Sequence, residues 1–195
     1  MSIVKKKLDL AKVGFLGTLD PLASGVLVLL IGRATKLADK LHADTKVYQS
    51  VFTFGIETTT LDNEGEVISR SDIIPTNQQI EKILPELVGD IEIEVPKFSA
   101  VHIGGKRAYD LARKGVEFTP PTRTIHIKRF ILLKDNLFEI ECSTGTYIRS
   151  LAKLLAQKLG TVAIASTIIR TRVGDFKIED AKGIDDITIQ DIINL

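Results

Sequence analysis

Hydrophobic positions recur along this chain with two different spacings. In Leu137–Cys142, Phe138, Ile140 and Cys142 fall on one face and Glu139 and Glu141 on the other. That is the alternation of a half-buried strand, and it makes Cys142 a core side chain. Ile91–Val95 alternates apolar and acidic residues in the same way. Val47–Phe54 is β-branched and aromatic, and Thr124–Leu133 is similar, so both predict strands. The unbroken run Val26–Ile31 predicts a buried strand closed by Gly32. Asp62-Asn63-Glu64-Gly65 is a turn signal, with Glu66–Ser69 returning as a hairpin partner. Helical spacing is seen in Ala34–His42, where Ala34, Leu37, Ala38 and Leu41 share a stripe. A second helix has Ile80, Ile83, Leu84, Leu87 and Val88 on its apolar stripe; Thr76 caps it, and Pro85 kinks or divides it. The third, Tyr147–Leu159, turns Leu151, Leu154, Leu155 and Leu159 inward and closes at Gly160. Ser2–Leu10 reads as a short basic helix and Arg107–Lys114 as another that stops at Gly115. Gly14–Gly25 reads as a loop with embedded turns. The expected fold is α/β (α+β): a mixed, mainly antiparallel sheet flanked by helices, in one domain spanning residues 1–195.

Composition narrows the class. Of 195 residues, 44% are hydrophobic and 26% charged, an ordinary globular mixture. The single cysteine excludes an internal disulfide framework, and with three scattered histidines it offers no metal-ligand spacing. No apolar run approaches the length of a membrane span, and no secretory signal follows Lys5, Lys6 and Lys7, so a cytoplasmic protein is expected. The net charge of +1 conceals a segregation. Residues 97–134 hold nine bases against two acids, and residues 57–94 hold ten acids against two bases. A basic block beside an acidic one suits a protein that grips a polyanion with one face, although solvated surface charge would look the same.

Two segments could carry chemistry. In Gly14-Phe15-Leu16-Gly17-Thr18-Leu19-Asp20-Pro21, proline biases Asp20 toward extended backbone, and flanking glycines allow close approach of another molecule. The competing reading is a helix start, with Asp20 as N-cap and Pro21 in the first helical position. In Ser143-Thr144-Gly145-Thr146-Tyr147-Ile148-Arg149, Arg149 falls in the first turn of a helix, where the dipole disfavours a cation. Either an acidic partner compensates it or it faces solvent. Tyr48, on a strand, could stack on a base or fill the core.

Taken together, these segments resemble the TruB family, tRNA pseudouridine synthases acting on uridine 55 in the T loop. Gly14–Leu27 reads GFLGTLDPLASGVL against the family's G-H-x-G-T-L-D-P-x-A-x-G-V-L. Lys46-Val47-Tyr48 matches its tyrosine motif, followed by Gly55 and Thr58–Gly65. Pro96–His102 with Gly105–Tyr109 and Ala112-Arg113 looks like its P-x-x-S-A-x-K-x-x-G-x-R-x-Y-x-x-A-R stretch. Gly145–Arg149 matches GTYIR, and Ile168–Phe176 resembles L-R-R-T-R-V-G-x-F.

The resemblance implies the pseudouridine synthase catalytic fold and isomerisation of uridine without a cofactor or metal. Asp20 would be the nucleophile, Arg149 its partner, and Tyr48 the residue that stacks on the flipped uracil and manages the proton at C5. Tyr147 and Ile168 would line the base pocket. Lys46, Asp62, Lys106 and Arg107 would join substrate binding, and the block from Lys97 to Lys134 would hold phosphates. Whether the carboxylate attacks the base or the ribose carbon stays open. The implied partner is the tRNA T stem-loop, bound by a monomer with no obligatory protein partner. A tRNA-binding or folding protein without turnover is the alternative.

Two departures from the family pattern stand out. Phe15 occupies the place of a histidine that helps replace the extruded nucleotide. The chain also starts at the first helix, without the preceding strand, and ends in an acidic stretch where a C-terminal RNA-binding (PUA-like) domain would follow.

Overall fold

In the computed structural model, which describes residues 1–38 and 45–193, the fold is organised by one seven-stranded sheet. The elements run α1 (Ser2–Lys7), β1 (Val13–Phe15), β2 (Ser24–Gly25), β3 (Leu29–Ile31), β4 (Thr45–Phe54), β5 (Ile56–Thr58) and β6 (Val67–Arg70). They continue as α2 (Asn77–Ile83), β7 (Gly89–Glu94), β8 (His102–Ile103), β9 (Lys106–Arg107), α3 (Ala108–Arg113) and β10 (Thr122–Lys134). β11 (Leu137–Ser143), α4 (Ile148–Lys158), β12 (Ala163–Val173) and β13 (Phe176–Lys177) complete the order. The main sheet reads β13-β12-β4-β11-β10-β7, antiparallel throughout, and β2 joins β12 as a short parallel partner. The architecture expected from the patterning is the one observed.

Strand β4 alternates strictly: Lys46, Tyr48, Ser50, Phe52 and Phe54 are buried and their neighbours only partly so. The buried row packs under α4, whose Leu151, Ala152, Leu155 and Ala156 are fully covered. Phe52 stacks on Phe138 at 4.6 Å between ring centroids, and Phe130 meets Phe138 edge-on at 5.6 Å. Such aromatic contacts add specificity to the burial itself. Thr76 caps α2 through a reciprocal box with Gln79, and Pro85 ends the α-helix in a 3₁₀ turn over Leu84–Leu87. Cys142 lies in this core; burial pushes its thiol pKa up to about 12.

Several local expectations are corrected. Gly14–Gly25 is not all loop: its ends form β1, paired with β3, and β2. Val26–Ile31 is strand only from Leu29, because β1 supplies hydrogen bonds only to that end. The stretch from Ala34 begins as a 3₁₀ helix, Gly32–Leu37, while Leu41 and His42 lie outside the described residues. The segment after the Asp62–Gly65 turn does return as a hairpin strand, β6, paired with β5. The longest element that the patterning does not reveal is β12, the partner of both β4 and β2.

Candidate active site

A cleft of about 290 Å³ opens where β4 and β12 meet the turn before α4. Asp20, Lys46, Tyr48, Tyr147, Ile168 and Arg170 line it, with backbone from the Gly17–Asp20 and Thr144–Thr146 segments. The size is at the lower edge of ligand pockets, near 300 Å³, and suits one flat ring with its attached sugar.

The loop carrying Asp20 is anchored at both ends. Leu16 N–H donates to the Val28 carbonyl at 3.0 Å, and Leu16 itself is buried. After Asp20 the chain turns, with Ala23 N–H donating to the Asp20 carbonyl at 2.9 Å, so Asp20-Pro21 opens a turn and not a helix. β2 then runs beside β12 so closely that a Cβ on Gly25 would lie 2.2 Å from the Arg170 carbonyl oxygen. Only glycine fits there, at φ +103°.

Arg149 is only 4% exposed in the first turn of α4. Its Nε–H donates to Asp20 Oδ2 at 2.8 Å, Nη1 to the Thr60 carbonyl at 2.8 Å and Nη2 to the Phe98 carbonyl at 3.2 Å. Asp62 Oδ2 stands 3.5 Å from Nη1. Two carboxylates thus compensate a cation at a helix start, where the dipole alone would oppose it. Asp62 is itself 3% exposed and accepts from the Thr60 hydroxyl and the Glu64 N–H. It pairs with Arg149 and is not among the residues that line the cleft.

On the cleft floor Tyr48 is directly opposite Arg170 across the β4–β12 ladder. Burial raises the Tyr48 phenol to about pKa 12; the adjacent Arg170 guanidinium and a hydrogen bond to it offset part of the rise. The hydroxyl therefore stays protonated through neutral pH, and its oxygen accepts from the Arg170 guanidinium. Lys46 is buried and its ammonium donates to the Thr144 hydroxyl. Ile168 is buried and Tyr147 half-buried, both facing the cleft. Two β-bulges in β12, after Ala165 and after Arg170, bracket Ile168–Arg170 and keep both Ile168 and Arg170 turned inward.

Phe15, Lys106 and Arg107 are not brought into this cleft lining. Phe15 is 38% exposed at the end of β1. Lys106 and Arg107 are exposed on β9, which among the described residues pairs only with β8. The basic block is also less uniform than its sequence suggests. Lys128 pairs with Glu141 at 3.0 Å and Arg129 with Glu139 at 2.7 Å, so these cations are engaged on the sheet. Arg123 is different: its guanidinium packs over Gly145 at the cleft rim, 2.5 Å from where a Cβ would stand. Arg170 falls within a family motif, but sequence reasoning assigns it no role; the one signal is a lone arginine following Ile168-Ile169. Among the described residues no group of histidine, cysteine, aspartate or glutamate could hold a metal ion, and no helix is long and apolar enough to cross a membrane.

The antiparallel sheet and its flanking helices have the pseudouridine synthase catalytic fold. Solved structures with that fold include "Structure of H/ACA RNP bound to a substrate RNA containing 2′-deoxyuridine", with TM-score 0.66, 26% identity, and coverage of 95% of this chain and 46% of that one. Another is "Crystal Structure of a Cbf5-Nop10-Gar1 Complex", with TM-score 0.65, 29% identity, and coverage of 90% and 44%.

The family model "TruB family pseudouridylate synthase (N terminal domain)" matches residues 5–148, and the chain belongs to that family. The tRNA pseudouridine synthase B of Bacillus cereus is 41% identical over 196 residues, covering 94% of this chain and 64% of that protein. The protein of the same name from Caulobacter vibrioides is 42% identical over 181 residues, covering 90% and 58%. The chain thus spans less than two thirds of the length of these relatives.

Proposed function

We propose that this chain isomerises uridine to pseudouridine in tRNA, at position 55 of the T loop, with Asp20 as nucleophile. The observation that carries the reading is the 2.8 Å pair between Arg149 Nε and Asp20 Oδ2 at the edge of a cleft with an aromatic floor. A guanidinium at that distance fixes the orientation of the carboxylate through a charge-assisted hydrogen bond.

The reaction breaks the N1–C1′ bond and forms a C5–C1′ bond on the same nucleotide. C5 loses its proton and N1 gains one, with no redox change. The detached base must stay in the pocket while it turns, which a small cleft floored by Tyr48 and closed by Tyr147 and Ile168 supports. Tyr48 stacks on the flipped uracil and manages the proton that leaves C5 for solvent. A uridine held in a folded RNA loop has to be flipped out to reach Asp20. Phe15 would fill part of the gap as an apolar wedge, and Lys106 and Arg107 would hold phosphates outside the cleft. We read the protein as a cytoplasmic monomer acting without an obligatory protein partner.

The experiment is tritium release from 5-tritiated uridine in tRNA transcripts, since C5 loses its hydrogen only on isomerisation. Wild type should release tritium from one site per tRNA. Asp20→Asn should abolish release while leaving tRNA affinity within about threefold, since the substitution removes a nucleophile and little surface. Binding by wild type with no release would instead make it a tRNA-binding protein without turnover.

A further inference from the structure

Arg170 is among the largest side chains that are completely buried, at 1% exposure. Among the described residues no carboxylate lies within 4.0 Å of it, so no ion pair explains its burial. Besides a hydrogen bond to the Tyr48 phenol, its guanidinium reaches three backbone carbonyls of the Asp20 loop. Nε donates to the Val26 carbonyl at 2.8 Å, Nη1 to the Thr18 carbonyl at 3.0 Å and Nη2 to the Gly17 carbonyl at 3.2 Å. Its own carbonyl accepts from Val26 N–H at 2.8 Å. These partners flank Asp20 on both sides in sequence.

We propose that Arg170 is a positioning residue: its guanidinium ties the two arms of the Asp20 loop together and so sets where Asp20 meets Arg149. The inference rests on the proposed function above and adds a second arginine with a different task. Arg149 touches the carboxylate; Arg170 touches the backbone that carries it and the Tyr48 phenol opposite. Three donors in a planar fork reach three carbonyls at once, a geometry that lysine cannot reproduce. A buried cation is costly to maintain when its partners are neutral carbonyls, so its burial here is better explained by geometry than by stability. The neighbouring chain has no room to take over this role. Gly25 cannot accept a Cβ against Arg170, and at Gly17, where φ is +69°, a Cβ would meet the Lys46 side chain at 3.3 Å and Arg170 Nη1 at 3.6 Å.

The test compares Arg170→Lys and Gly25→Ala with Phe138→Leu, a core variant remote from the loop that reports the effect of reduced stability alone. Arg170→Lys retains the charge and loses the fork; Gly25→Ala retains the guanidinium and forces β2 away from β12. Each is measured for melting temperature, tRNA affinity and single-turnover tritium release. We expect release to slow by about 10- to 100-fold in both loop variants, the range for a catalytic group displaced by about 1 Å, with KM and tRNA affinity changed less than threefold. Phe138→Leu should melt earlier and keep its rate. Wild-type rates in a folded Arg170→Lys, or slowing in proportion to melting temperature across all three variants, would overturn the positioning role. Should both loop variants fail to fold, hydrogen exchange of the wild type decides. The Leu16 and Val26 amides should be protected as strongly as those of β4, and exchange at the rate of an open loop would overturn the clamp. Absence of tritium release from wild type would refute the proposed function instead, leaving the exchange result to be read on its own.

Discussion

Replacing Arg149 with lysine keeps the charge and removes the fork, so it separates geometry from electrostatics. The guanidinium serves four acceptors: Asp20 at 2.8 Å, the Thr60 carbonyl at 2.8 Å, the Phe98 carbonyl at 3.2 Å and Asp62 at 3.5 Å. An ammonium reaching one carboxylate leaves the two carbonyls without their donor. At about 1–3 kcal/mol for each hydrogen bond removed from a buried or charged group, the stability loss is about 3 kcal/mol. The Asp20 side chain is 34% exposed, so its share of the ion pair is screened and enters this figure only weakly. For a chain of this size, about 3 kcal/mol corresponds to a fall in Tm of about 6–12 °C. The catalytic loss is larger in consequence: a carboxylate free to drift by about 1 Å costs about 100-fold in rate. Single-turnover tritium release at saturating enzyme reads the rate, filter binding reads affinity, and calorimetry reads Tm. Release within threefold of wild type, in a protein whose Tm has fallen as expected, would refute the claim that Arg149 orients Asp20.

Alkaline pH should destabilise the fold, because Cys142 and Tyr48 are held neutral with pKa values raised to about 12. The stability this neutrality confers is complete below the unfolded values near 9 and 10 and drains away up to about pH 12, a few kcal/mol in all. Urea midpoints from pH 8 to 11 should therefore fall, less steeply in Cys142→Ala; an unchanged slope would contradict the shift. Replacing Lys106 and Arg107 with glutamine should weaken tRNA binding and reduce the slope of log affinity against log salt by about 0.7–0.9 for each phosphate no longer neutralised. The same exchange at Lys128 and Arg129, which are ion-paired, should leave the slope nearly unaltered; equal effects from both pairs would remove Lys106 and Arg107 as the RNA grip. Phe15→Ala should slow turnover on tRNA, while Phe15→His should preserve or raise it, and a silent Phe15→Ala would remove the wedge.

Elements whose burial follows one period were legible in the sequence. β4 and β11 alternate without interruption, and α4 keeps its apolar stripe for three turns, so pattern and structure coincide. β12 was not legible because its two bulges break the alternation: residues 163–165 are all buried, then Ile168 and Arg170, then Val173. Its polar stretch Ser166-Thr167 and the run Arg170-Thr171-Arg172 also disguise a central strand. β1 escaped notice because a three-residue strand offers too short a window for any period. In the site, Asp20 and Arg149 could be named from local backbone and dipole arguments joined to the family motifs. Asp62 could be named but not placed, since nothing local distinguishes a carboxylate facing solvent from one turned under a helix start.

What escaped sequence reasoning in this site has a common physical basis. Five of the hydrogen bonds made by Arg149 and Arg170 end on main-chain carbonyls: Thr60, Phe98, Gly17, Thr18 and Val26. Every residue type presents that acceptor, so the partner leaves no mark in the side-chain sequence. The constraint reappears only where the backbone runs out of room, at Gly17 and Gly25. The side chains of Thr18 and Val26 are correspondingly outside the clamp, since each meets Arg170 only through its main chain. Two buried guanidinium groups therefore act on the same loop from opposite sides, Arg149 through the Asp20 carboxylate and Arg170 through the chain on either side of it. Leu16 and Val26 bury the two arms of that loop, and hydrogen bonds from the sheet and the helix start fix the segment between them.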